Sequence, residues 1–393
     1  MRPNWILLAA GLAPACLPHG HPRVGPEVVE VRYRWSPPTT GSGARLLEVL
    51  PGSHWDQGLL AAARELAAGF DTPGSRISPR ALAAATARAG FPGDARFAVI
   101  ENEGAFPDPL VRSAKEAFGA KAALDVGLAS RVSSDGTTLW ILGFSPHYGE
   151  IDPMPRDLGL DAVLPVCVDV PGAADLSLVV ASPEGPVRSF PFANRVTRQV
   201  DAFHVPGGHR LEVVEAVPGG ARVDFVFEVF VEVGPPPPEP LPGPARTPDP
   251  TKATEALYRA LEERRSTARL PSLVRFPAFE PLAREHSALM AAAGIVDHAL
   301  PSLTEGVAAR ARAAFHPGAR HHEDLAAAFS AEDAADLVWL SPGHRANLLC
   351  EPCTHVAIGT ALEPSTDAPP RLFVTWEILE FPEGPPRPVA RPR

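Results

Sequence analysis

The run "GPPPPEPLPGPARTPDP", residues 234–250, cannot join a packed core. Proline has no amide donor and a fixed φ, so such a run prefers extended polyproline II and acts as a semi-rigid spacer. It defines a linker at 234–251 and sets a C-terminal domain, 252–383, apart from everything before it. The chain closes on "PEGPPRPVARPR", and 384–393 reads as a disordered tail. Proline reaches 47 of 393 residues, so loops and connectors are abundant throughout.

Upstream of the spacer, residues 151–233 read as all-β. "AVLPVCVDV", "DLSLVVA", "HRLEVVEAV" and "ARVDFVFEVFVEV" alternate apolar and polar residues, punctuated by turns such as "VPGA" and "VPGGH". Short strands at that spacing predict a small Ig-like sandwich. It holds no cluster of His, Asp or Glu, so the stretch reads as a spacer. Residues 28–150 are mixed: "WDQGLLAAARELAAGF" and "SPRALAAATARAG" have helical spacing, and "AALDVGLASRVSSDGTTLWILGF" predicts two strands around a turn. The chain as a whole is expected to be α+β.

The N-terminus "MRPNWILLAAGLAPAC" has one basic residue, a short apolar core, small residues and then Cys16. The core is too short to cross a bilayer and suits a secretory signal over 1–16. Cys16 resembles the lipidated cysteine of a bacterial lipobox; a plainly cleaved signal and a merely apolar start are the alternatives. Either signal places the protein outside the cytoplasm, as an outer-envelope lipoprotein or a secreted protein. The formal net charge of −10, with no Lys/Arg run, argues against nucleic acid, and leaves membrane attachment only through a lipid anchor. Cys350 and Cys353 form a C-x-x-C, readable as a local disulfide, as buried thiols, or as metal or redox chemistry. Cys167, in an alternating run, reads as a small core residue.

The C-terminal domain carries the chemistry. "FEPLAREHSALMAAAG" puts Phe279, Leu282, Ala283, His286, Leu289, Met290 and Ala293 on one helical stripe. His298 follows in "GIVDH", past Gly294, where a helix should stop. "SAED", from Ser330, is a capping box for a helix through "AADLVWL". In "SPGHRANLL", Ser341 is a natural N-cap and Pro342 a natural first residue, which places His344 in the first turn. The positive end of the helix dipole disfavours imidazolium there and suits a neutral ligand nitrogen. "THVAIGTAL" and "RLFVTWEILEF" read as the closing strands.

These blocks, "AREHSALM…DH", "HEDLA" and "SPGHRANLL…THVAIG…FVTWEILEF", resemble the CAP superfamily of cysteine-rich secretory proteins, antigen 5 and pathogenesis-related 1, in its bacterial SCP-like form. The resemblance implies an α-β-α sandwich with helices on both faces of a small antiparallel sheet. It also implies a cleft of two histidines and two acidic residues that binds a divalent metal in some members. Residue by residue, His298 and His344 match the cleft histidines and would be the metal ligands. Glu323 matches the glutamate of the family's Glu-Asn pair, with Asp324 in place of Asn. His286, Asp324 and Arg345 are expected to line the cleft beside Glu323. The second cleft glutamate has no clear match, since the helix before "SPGH" offers only Glu332, Asp333 and Asp336. His321 falls outside the motif. The 28–150 region repeats the order of helix and hairpin, and reads as a degenerate CAP-like copy or as an unrelated α/β domain.

Two functions follow from the resemblance. One is a non-enzymatic exported binding module for a lipid, glycan or protein of the envelope or the medium. The other is a metal-assisted hydrolase, with zinc or magnesium on His298 and His344 and Glu323 as catalytic general base. A third possibility for the same residues is a purely structural polar cluster.

Overall fold

The computed structural model describes residues 30–381, apart from 71–74, 103, 105, 119–122, 134–135, 184, 186, 218–219, 244–245, 299, 301–319 and 365–368. The signal segment with Cys16 and the 384–393 tail lie outside the described residues. The chain forms two compact units. One takes the described part of Met1–Ala63 with Thr86–Val180 and Ser189–Pro235; the other takes Arg64–Ala85, Ala181–Arg188 and the chain from Pro236 onward. This division differs from the borders read in sequence: the α/β region and the β-rich region share one unit, and a helical piece of the first half belongs with the second. Among the described residues no helix is long and apolar enough to cross a membrane.

The first unit opens with β1 (Glu30–Val31), α1 (Gly41–Val49) and β2 (His54–Trp55). Then come α2 (Gln57–Gly69) and α3 (Pro79–Ala89), which run across the border between units, β3 (Arg96–Asn102), α4 (Asp108–Phe118), β4 (Leu124–Val132) and β5 (Thr138–Pro146). The sheet order is β2-β4-β5-β3, with β2 parallel to β4 and the other pairs antiparallel. Every residue of β5 is buried, as expected of a central strand covered on both faces.

The β-rich part follows as β6 (Glu150–Ile151), β7 (Met154–Pro155), β8 (Asp157–Leu158), β9 (Leu164–Val166), β10 (Val168–Asp169), β11 (Asp175–Ala181), β12 (Val187–Ala193), β13 (Arg198–Val200), β14 (Gly207–Val217) and β15 (Gly220–Val231). A five-stranded sheet in the order β12-β11-β14-β15-β8 packs with short two-stranded pairs around Leu178, Phe203, Leu211, Val213, Phe225 and Val229. Val31 and Met154 join the same core, so β1 and β7 tie the start of the unit to it. Cys167 is buried there but is not a thiol: it is disulfide-bonded, which corrects the reading of it as a simple core residue.

The second unit contains α5 (Pro250–Thr267), β16 (Val274–Arg275), α6 (Glu280–Ala293), β17 (Arg320–Ala328), α7 (Ala331–Leu340), α8 (Pro342–Leu348), β18 (His355–Leu362) and β19 (Leu372–Glu380). Asp249 caps α5 by accepting from the amides of Thr251 and Lys252, with Pro250 at the first turn, so the domain starts slightly before the expected 252. α6 stops at Gly294, whose φ of 70° is the left-handed C-cap that glycine tolerates best. The sheet order is β16-β18-β19-β17. Strand alternation sorts the residues into two faces. Val356, Ile358, Leu372, Val374, Trp376 and Ile378 meet Leu257 and Leu261 of α5 and Ala334 and Val338 of α7. On the other face, Phe373 packs with Met290 and Ala291 of α6. The result is the expected α-β-α sandwich. Gly359 is required at the α6 contact, because a Cβ there would sit 2.1 Å from the carbonyl carbon of Ala283.

The two units share one strand order. β2-β4-β5-β3 and β16-β18-β19-β17 have the same directions, and β2 and β16 are each a two-residue parallel edge. The N-terminal α/β region therefore repeats the C-terminal sheet topology.

Candidate functional site

The site grows from strand alternation on β17. His321 and Glu323 are two apart and share the face toward α6, whereas Asp324 points to the other face. Antiparallel pairing sets Glu323 directly opposite Glu377 of β19, so two carboxylates sit side by side under the helix. Such a pair needs partners, since a buried unpaired charge is costly. α6 supplies one. His286 is completely buried, with Nδ1 2.9 Å from Oε2 of Glu323 and Nε2 3.1 Å from the carbonyl of Asp297. The segment after α6 supplies another: His298 places Nδ1 2.6 Å from Oε1 of Glu323. His321 reaches Glu377 through Nε2. Ser287 completes the seam, donating to the carbonyl of Gly359 and meeting Thr375 at 2.9 Å.

Electrostatics follow from this packing. Burial pushes the Glu323 carboxyl up, but the bonds from His286 and His298 outweigh it and hold it below the usual range. His298 gains the complementary rise, chiefly from its bond to Glu323. Glu377 is raised, first by burial and against the bond from His321. Asp324, fully buried on the opposite face, is pushed up to about 8 by desolvation, although Asn347 donates to its Oδ1 at 2.7 Å.

His344 sits where the capping motif placed it. Ser341 accepts from its amide at 3.4 Å, and Pro342 opens the helix. The imidazole is pushed down to about 4, by burial first and by the charge of His298 second. Its Nδ1 is buried and has no hydrogen-bond partner among the described residues. Ser330 likewise caps α7 by accepting from the amide of Asp333.

The structure thus joins Glu323 with His298 and His286 directly, and leaves His344 close enough to feel His298. Among the described residues, His298, His344 and Glu323 do not bring three ligand atoms within 4.8 Å of one another, so this set does not fit a divalent ion as it stands. Arg345, expected at the cleft wall, is buried. Its guanidinium donates to the carbonyls of Trp339 at 3.0 Å and Ser182 at 2.6 Å and lies over the Trp339 ring. Cys350 and Cys353 are joined in a disulfide. Sequence reasoning missed Glu377 and treated His321 as an outsider. The signal was available: a carboxylate inside the apolar strand "FVTWEILEF" demands a partner, and His321 shares a face with Glu323.

The first unit shows what the same framework does without the cluster. Register places Phe97 opposite Gly143, and Gly143 opposite Gly127, where the second unit has Glu323, Glu377 and Ala357. A Cβ on Gly143 would meet the Phe97 ring at 2.8 Å, so the ring fills the space of the two carboxylates. A separate group in this unit, His54, Asp125 and His147, does have ligand spacing.

Residues 258–376 match the CAP family, described as the cysteine-rich secretory protein family. The chain is similar to an extracellular protein containing an SCP domain from Bacillus anthracis str. Ames at 16% identity, covering 52% of this chain and 88% of that one, with a TM-score of 0.29. It is similar to an outer surface protein of Borrelia burgdorferi at 20% identity, covering 34% and 97%, with a TM-score of 0.28. A cysteine-rich secretory protein from Staphylococcus aureus subsp. aureus Mu50 aligns at 10% identity over 79% and 98%, with a TM-score of 0.26. None of the curated proteins compared with the chain matches it.

Proposed function

The C-terminal domain belongs to the CAP family of cysteine-rich secretory proteins, and from that premise we propose that the chain is an exported, non-enzymatic binding protein. Its cleft would hold a lipid, glycan or protein of the envelope or the medium without turnover. One observation carries this reading: both oxygens of Glu323 are engaged by imidazoles, and its pKa is held below the usual range. A general base needs an available lone pair and a pKa near the working pH. Each oxygen of Glu323 already takes one imidazole and its pKa is lowered, so the cluster serves better to hold the cleft rigid than to activate water. The hydrolase reading retains one support, the unpartnered Nδ1 of His344 among the described residues.

Export is part of the proposal, and Cys16 is the residue that decides between a lipid anchor and a secreted form. The cysteines provide a check. Cys350 pairs with Cys353 and Cys167 is disulfide-bonded, so Cys16 is the one cysteine left in the sequence. A thioether at Cys16 and an intrachain bond from Cys16 to Cys167 exclude each other, and intact mass before and after reduction separates them. The binding claim is tested with purified full-length protein on envelope-lipid vesicles and on cell-wall glycan fragments. Saturable binding that weakens in His344→Ala, with ligand recovered unchanged by mass spectrometry, is the expected result. Turnover of ester, amide or glycosidic bonds that disappears in Glu323→Gln would overturn it.

A further inference from the structure

We propose that the first unit contains a metal site of its own, in which His54, Asp125 and His147 hold zinc or a similar borderline divalent ion with a fourth position open to solvent. The site is remote in sequence from the CAP cleft and uses none of its residues.

The fold makes the juxtaposition. β2 runs parallel to β4 with His54 in register with Asp125. β5 returns antiparallel so that Pro146 faces Leu124, and His147 follows at once, beside the same aspartate. Asp125 is fully buried. His147 puts Nδ1 3.1 and 3.2 Å from its two carboxylate oxygens. His54 brings Nδ1 to 3.6 Å from Oδ1. That nitrogen is buried and has no hydrogen-bond partner among the described residues, so it calls for a partner of another kind.

The spacing suits a small ion. Ligand atoms bound at about 2.0–2.1 Å in a tetrahedron lie about 3.3–3.4 Å apart. The two histidine–aspartate separations, 3.1 and 3.6 Å, bracket that edge, and one ligand atom from each of the three residues lies within 4.8 Å of the others. Two imidazoles and one carboxylate form a donor set that zinc accepts, and the partly exposed His54 leaves room for water. Ring orientation is fixed from outside. Trp35 lies 4.9 Å from the His54 ring and 5.6 Å from that of His147, and Tyr33 lies 5.7 Å from the latter. Asp56 and Glu150 add negative charge around the same aromatic wall.

The second unit cannot build this set. Its matching positions are Val274, His355 and Phe381, so the site is private to the first unit. There the cleft carboxylates have been replaced by Phe97 and glycine, and the histidines appear instead around Asp125, two residues along β4 from the Gly127–Gly143 pair.

Metal binding must displace the proton that His147 shares with Asp125. The experiment uses the full chain stripped with chelator and then dialysed against limiting zinc, with cobalt(II) as the optical probe. One zinc per chain and a four-coordinate cobalt spectrum are expected. Asp125→Asn and His147→Ala should lower affinity by at least about 100-fold, since even outer partners of ligands are worth 10–100-fold. His54→Gln is the safer variant, because its side chain is 38% exposed and should not disturb folding. His204→Ala, exposed and elsewhere, should bind as wild type does. Absence of bound zinc, or wild-type affinity in His54→Gln, would overturn the proposal. So would zinc lost in His298→Ala and kept in His54→Gln, which would assign the ion to the other unit.

Discussion

Acidification should single out His344. Its folded pKa is about 4, against about 6.5 for an unfolded histidine. Between those values the unfolded chain binds more protons than the folded one, so this group makes stability rise with pH and removes it on acidification. The full span, about 2.5 pKa units at about 1.36 kcal/mol each, comes to about 3 kcal/mol, and about 2 kcal/mol of it falls between pH 7 and pH 5. Asp324 works in the opposite sense. Its pKa is pushed up to about 8, so its stabilisation is complete below the unfolded carboxylate pKa and is lost as pH rises toward 8. The two slopes oppose one another between about pH 4 and 6.5, and a wild-type profile alone would hide both. His344→Gln removes the first and keeps the second. Hydrogen exchange in β19, corrected for the intrinsic pH dependence of exchange, reports the opening free energy of the core beside the site. From pH 7 to pH 5, wild type should lose about 2 kcal/mol more than the variant. Equal losses would refute the argument, because they would mean that the imidazole is hydrated and titrates normally.

Gly359→Ala should cost about 3 kcal/mol by forcing α6 off the sheet, and an unchanged melting temperature would contradict that contact. Glu323→Ala strands the buried His286 without its carboxylate and should cost about 3 kcal/mol in urea unfolding; a loss near zero would show that the cluster is hydrated. Native oxidised protein should yield no alkylatable thiol at Cys167, Cys350 or Cys353, and labelling at any of the three before reduction counts against the pairing. A fragment starting at Asp249 should be less stable than the same unit in the full chain by about 3 kcal/mol, because it loses Arg76 on Asp333 and Arg80 on Asp336. Equal protection of β19 in fragment and full chain would show those pairs to be dispensable.

How far the sequence could be read depended on whether a residue's partner was local. The caps were legible, since Ser330 and Ser341 act on amides three residues on. So was the C-terminal sandwich, because periodicity and the "SPGHRANLL" block are properties of contiguous residues. The site was half legible. His298 and Glu323 were named from motif positions, but the second carboxylate, Glu377, lies across the sheet and is defined only by register. His321 was dismissed for the same reason: one residue of shift on β17 moves a side chain to the other face, and only the pairing fixes which face is the cleft. Arg345 shows the converse error. Its place in the motif suggested a cleft wall, whereas the fold uses its guanidinium to close backbone carbonyls. The unit border was hidden because Arg64–Ala85 is joined to the C-terminal half by contacts between residues some 256 apart in sequence.

The two sheets explain how one framework can carry different chemistry. In each, a two-residue parallel edge strand and a central antiparallel pair fix which positions face each other, whatever residues occupy them. Beneath α6, facing positions hold Glu323 and Glu377, and the cost of burying two carboxylates is met by imidazoles arriving from α6, from the segment after it and from β17 itself. Where the first unit has Phe97 and Gly143, that cost vanishes, and so does any need for histidines at that spot. The constraint is released at these positions and reappears two residues further along β4. Asp125, fully buried on β4, is again a carboxylate that must be balanced, and again two histidines meet it. Glu323 and Asp125 are thus each met by two imidazoles. Motif position alone points only to the first of these two places.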